Sequence, residues 1–200
     1  MWNDIIKSFN VSYLPTALTL FAKVTMLRTD FNNSDLATCI GLGVFLVTQI
    51  IVSIVVLCRN KNRLEDPEFT DKFGSYMRGI KPKGYLYEPV MMLLKLSFVC
   101  IPLFMPDQGN KIQILLFMQT IFIIWHGKTE PHKNQFENRL MIVNQAIQML
   151  IFYHLVMFSD FVIEPETKFT MGYSLLICLG ILIALNIGIS IKKQISSALR

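Results

Sequence analysis

The chain has 200 residues, of which 52% are hydrophobic and only 16% charged, and its mean hydropathy is +0.46. Soluble domains carry roughly 25% charged residues, so this balance excludes a disordered chain, a fibrous repeat and a nucleic-acid module, and it points to an all-α, multi-span membrane bundle. The net charge of +5 comes from basic residues clustered between apolar runs, where they set orientation in a bilayer rather than recruit nucleic acid.

Residues 1–36 read as an outside segment before the first span. Within it, residues 13–27 place Leu14, Ala17, Leu18, Phe21 and Val24 on one helical face, with Thr16, Thr19 and Lys23 turned away. That pattern favours a helix lying in the membrane surface, with a tilted extra span as the alternative. A span needs about 20 apolar residues to cross ~30 Å of hydrocarbon as a helix. Five runs are expected to do so within a bundle over 37–191. The first, 37–58, is uncharged, is preceded by Asn33-Ser34-Asp35 as a capping set and is closed by Arg59, Lys61 and Arg63. The second, 89–105, opens on Pro89 and bends or stops at Pro102 and Pro106. Asp107-Gln108-Gly109-Asn110 is expected to turn the chain into the short third span, 112–126. The fourth covers 140–162, Glu164-Pro165-Glu166 forms a turn, the fifth covers 173–191, and 192–200 is a cytosolic tail.

The basic residues then orient the bundle. Arg59, Lys61, Arg63, Lys72, Arg78, Lys81 and Lys83 fall in the 59–87 connection. Lys128, Lys133 and Arg139 fall in 127–139, and Lys192, Lys193 and Arg200 in the tail. The other face receives only Lys7, Lys23, Arg28, Lys111 and Lys168. The positive-inside bias puts the first group in the cytosol, with the N-terminus outside and the C-terminus inside. The two N-x-S/T sequons, at Asn10 and Asn32, lie in the segment assigned outside and are candidate glycosylation sites. The expected location is the plasma membrane or an endomembrane.

Phe73-Gly74-Ser75-Tyr76, Gly79-Ile80-Lys81 and Tyr87-Glu88-Pro89 lead into a span holding Lys95 that ends in Leu103-Phe104-Met105-Pro106-Asp107-Gln108. Asn138-Arg139-Leu140 with Asn144, Ser159-Asp160-Phe161-Val162 and Pro165-Glu166-Thr167 follow. In order and spacing, residues 70–191 resemble the TRP-like C-terminal polytopic membrane region of large protist surface proteins. The resemblance implies a cell-surface or endomembrane protein with its tail inside, distantly linked to transient receptor potential channels. It transfers no pore, since only the short stretch 163–171 separates the fourth and fifth spans, and the large extracellular region of that family is missing.

Lys95 is the one basic residue inside a span. It is expected either to reach back toward Glu88 at the cytosolic boundary, or to serve an ion path or helix packing, where a pair with Asp160 is the less favoured form because the two lie toward opposite ends of their spans. In the fourth span Asn144, Gln145 and Gln148 make a polar stripe with Glu137 one repeat earlier. This is a set for gluing helices together or for lining a cation or lipid-headgroup path. His154 lies off that stripe and reads as a packing residue, while His126, His132 and Glu130 make a weak metal signal. Gly180, Ala184 and Gly188 form a small-residue stripe for close helix packing, within the chain or between copies, to which Asn186 could add an interhelical bond. Arg78, Lys81 and Lys83 either meet anionic headgroups or simply mark topology. Cys39, Cys58, Cys100 and Cys178 make no CxxC pair and read as buried apolar thiols. No catalytic motif is present, so no enzyme activity, cofactor or metal is expected. The expected partners are the lipid bilayer and other membrane subunits or a homo-oligomer. A structural or anchoring module is the leading functional expectation, and a channel or transporter subunit is the alternative.

Overall fold

The computed structural model describes residues 2–29, 33–77, 79–105, 107–158 and 162–198. The described residues form helices α1 (Trp2–Thr29), α2 (Asn33–Arg59), α3 (Pro67–Phe73), α4 (Tyr87–Phe104), α5 (Gln108–Thr129), α6 (Gln135–Met157) and α7 (Pro165–Ala198). Short 3-10 turns cover Gly74–Tyr76 and Pro82–Gly84. The only extended pairing among the described residues is an isolated antiparallel bridge between Ile80 and His132. The fold is therefore all-α.

Four segments are long and apolar enough to cross a membrane: α2, Pro82–Phe104 with α4, α6, and the Pro165–Ile189 part of α7. Their apolar residues face outward, as at Ile40 (59% exposed), Val44 (61%) and Leu176 (64%). Exposed apolar surface on this scale marks contact with lipid rather than water, and the chain is a multi-pass membrane protein. The predicted span 112–126 lies inside α5, which has length enough at 22 residues. It is not among the four, because Gln113, Gln119, Thr120 and His126 dilute its apolar run.

Element ends differ from expectation where a cap replaces a turn. Asp107 accepts a bond from the backbone N–H of Asn110 at 2.7 Å, so Gln108–Asn110 become the first turn of α5 instead of a loop. Pro165 opens α7 two turns before residue 173, at the position where a missing N–H costs least. Asp35, expected as a cap for α2, accepts from Lys23 Nζ at 2.5 Å instead.

The chain forms two compact units, residues 1–106 with 124–139 and residues 107–123 with 140–200. In the first, α1, α2 and α4 pack around Tyr13, Ala17, Leu20, Leu46, Ile50 and Met92. The spacing of Tyr13, Ala17 and Leu20 is one helical stripe, so α1 buries a single face. Ile6 joins Leu57, Leu64, Phe69 and Tyr76 in a second cluster at the far end of α2.

Asn3 reaches the same region. Its side-chain carbonyl accepts from the backbone N–H of Ser75 at 2.7 Å, and its backbone carbonyl accepts from the Ser75 hydroxyl at 2.8 Å. With Ile6 beside Leu57 and Lys23 beside Asp35, α1 runs antiparallel to α2 from end to end. Residues 3 and 6 touch the 59–87 connection, and residues 13–27 stand beside α2 and α4. Hydropathy scores side chains singly and does not register such partners.

In the second unit, α6 stands between neighbours on α5 and α7, as its side-chain bonds show below.

Candidate functional site

In the first unit the two basic connections are knitted into one folded cap. The backbone N–H of Lys81 donates to the Pro131 carbonyl at 2.6 Å, and that of Lys133 to the Gly79 carbonyl at 2.8 Å. Gly79 sits at φ +75°, a left-handed conformation that favours glycine. Glu130 at φ +41° ends α5 just before the buried Pro131, its N–H bonded to the His126 carbonyl at 2.8 Å. Asn138, 3% exposed, uses its amide twice, accepting from the His132 N–H and donating to the His132 carbonyl, both at 2.9 Å.

That clamp aims His132 at Tyr87, with ring centroids 4.7 Å apart and near-perpendicular planes, and His126 lies 5.8 Å from both rings. Lys81 pairs with Glu130 at 3.6 Å, and Glu137 lies 3.9 Å from His132 Nδ1. Burial, and after it Glu88, pushes the Tyr76 phenol above its usual range, so it stays neutral under the cap. On the exposed α3, the ion pair and hydrogen bond at 2.8 Å hold Glu68 below and Lys72 above their ordinary values. Beside the cap is a cavity of about 660 Å³ lined by Asn3, Lys7, Glu65, Ser75, Gly79 and Lys133, among others. Its charged lining is mixed in sign, so it presents no single-sign field to an ion. Among the described residues no group of three His, Cys, Asp or Glu side chains could hold a metal, so His126, His132 and Glu130 form no centre.

The predicted polar stripe of α6 is in the second unit, where its members turn to different neighbours. Gln145, 6% exposed, receives the amide of Gln119 on α5, itself fully buried. Gln148 Oε1 lies 3.5 Å from the same Gln119 nitrogen, at the outer limit of a hydrogen bond. Asn144 turns the other way and exchanges bonds with Asn186 on α7: each amide donates to the other, at 3.0 and 3.2 Å. Adjacent helix positions point about 100° apart, so residues 144 and 145 can serve two helices at one level. Nearby, His154 Nδ1 lies 2.7 Å from the Leu150 carbonyl and Nε2 2.8 Å from the Ser174 hydroxyl. A carbonyl can only accept, so Nδ1 carries a proton, while the Ser174 hydroxyl can serve Nε2 as donor or acceptor. The ring is thereby spent joining α6 to α7.

The remaining predicted residues are not drawn into either constellation. Lys95 is half-buried on α4, two turns from Glu88 on the same helix, and its alternative partner Asp160 lies outside the described residues. Asn32 and Arg78 also lie outside them, whereas Asn10 is within α1. Gly180, Ala184 and Gly188 are exposed on α7, and a methyl group at either glycine would meet nothing within 4 Å. The cysteines are all free: Cys39 and Cys178 are buried, Cys100 is half-buried and Cys58 is exposed.

Sequence reasoning missed Gln119, the clamp by Asn138 and the ring contacts of Tyr87. Gln119 had a readable signal, a lone long amide inside ILLFMQTIFIIW. The Asn138 clamp joins residues six apart without a recognisable motif, and the ring contacts of Tyr87 depend on a connection distant in sequence. No family model, curated protein or solved structure matches the chain.

Proposed function

We propose that the chain is a structural or anchoring membrane module of the TRP-like polytopic class, set in the plasma membrane or an endomembrane with its basic connections and C-terminal tail in the cytosol. The observation that carries the functional reading is the reciprocal Asn144–Asn186 amide pair, together with Gln119–Gln145. A path for ions needs polar groups turned toward water. Here the amides of α6 are used between helices, where such bonds hold a bundle together. The folded cap supports the same reading, since backbone bonds join the two basic connections at the membrane boundary, where their lysines can meet anionic headgroups. Further partners are the bilayer itself and other membrane subunits or a second copy, for which the uncovered small-residue stripe of α7 offers a close-approach surface. Current recording from purified protein in planar bilayers tests the proposal. Silence in every oligomeric state is expected. A selective conductance abolished by Gln148→Leu would establish a channel subunit instead.

A further inference from the structure

The four apolar spans omit α1, yet α1 has the surroundings of a spanning helix. Ile6 is level with Leu57 near one end of α2, and Lys23 is level with Asp35 at the other. A helix that accompanies a membrane-crossing helix from end to end must traverse the same depth.

The surface of α1 agrees. Residues 8–22 carry no charge. The residues facing away from α2 and α4 include Val11 (72% exposed), Leu14, Leu18, Phe21 and Met26. A helix lying in the membrane surface needs a strongly charged face toward water, and between Lys7 and Lys23 this helix has none.

Three of the hydroxyls that lower its hydropathy are satisfied locally. The hydroxyls of Thr16, Thr19 and Thr25 donate to the carbonyls of Ser12, Pro15 and Phe21 at 2.8, 2.9 and 2.8 Å. Hydroxyls bonded back to their own helix are compatible with hydrocarbon, and a proline such as Pro15 is tolerated in a spanning helix when polar groups nearby are re-satisfied. Lys23 meets its counter-charge on Asp35 where α1 nears its end and α2 begins. From Lys7 to Lys23 the helix rises about 24 Å, and long lysine side chains reaching outward cover the rest of the hydrocarbon.

We infer that α1 is itself a membrane-crossing helix, with Val11, Leu14, Leu18, Phe21 and Met26 against lipid acyl chains and residue 3 on the same face of the bilayer as the 59–87 connection. Lys7 then joins the basic face, and Lys23, Arg28, Lys111 and Lys168 remain opposite, which sharpens the charge asymmetry. Asn10 is withdrawn from the glycosylation machinery. This inference rests on α2 crossing the membrane and not on the anchoring function.

An epitope placed before residue 1 of the full chain, in sealed membrane vesicles, provides the test. Trypsin added outside should either remove the epitope and cut at the exposed Arg59, Lys61 and Arg63 in the same vesicles, or leave both untouched. Cleavage of the epitope and of the connection from opposite faces would overturn the inference. So would a glycosidase-sensitive mobility shift that Asn10→Gln abolishes. Neither outcome bears on whether the protein conducts.

Discussion

Gly84 offers the sharpest test of the folded cap. A methyl group there would lie 2.6 Å from Pro131 Cβ, 2.7 Å from Pro131 Cα and 3.2 Å from Ile80 Cγ2. Carbon atoms sit comfortably at about 3.5–4.0 Å, so Gly84→Ala demands a shift of roughly 1 Å between the two connections. Pro131 cannot yield easily, because its ring is buried and its carbonyl holds the Lys81 N–H. Overpacking of this kind costs about 1–3 kcal/mol. For a chain of this size each kcal/mol moves the midpoint by about 2–4 °C, so the midpoint should fall by about 2–12 °C. Far-UV circular dichroism of detergent-solubilised protein during heating measures it. Gly127→Ala is the control: nothing lies within 4 Å of a methyl group there, and in a helix alanine should add about 0.5–1 kcal/mol. Equal midpoints for the two variants would show that the connections do not pack together and would refute the cap.

Two further outcomes follow from buried amides. Gln49 is 9% exposed on α2, and neither its amide nitrogen nor its oxygen has a hydrogen-bond partner among the described residues, so Gln49→Leu should raise stability by about 1–3 kcal/mol; a lower midpoint would show that the amide is satisfied in the membrane. A double-mutant cycle replacing Asn144 and Asn186 by leucine should give a coupling energy of about 0.6 kcal/mol, the average for interhelical bonds in membranes, and at most about 1.7, and zero coupling would contradict the interhelical role assigned to the pair.

Much of this architecture is legible in the sequence because a bilayer imposes one strong rule: long apolar runs become helices. Thus 37–58 lies wholly within α2, and 89–105 coincides with α4 to within a few residues. The rule fails where side chains satisfy one another. Thr16, Thr19, Thr25 and Lys23 lower the hydropathy of α1, and their partners are visible only in the fold. Gln119 weakens the apolar signal of α5 for the same reason, although its amide is spent on Gln145. The stripe on α6 was readable as a set but not as a division of labour, because which neighbour Asn144 or Gln145 faces depends on packing. The cap joins Gly79–Gly84 to Pro131–Lys133 across some fifty residues, and no local pattern announces it.

The outward apolar faces of the spans are immersed in lipid, and every functional conclusion above depends on it. Single spin labels at Val44, Val47 and Ile51 of α2, in proteoliposomes, measure this through collisions with dissolved oxygen and with a water-soluble nickel chelate. The account predicts frequent oxygen collisions and few nickel collisions at all three positions. Free access of the nickel chelate at mid-helix would contradict it.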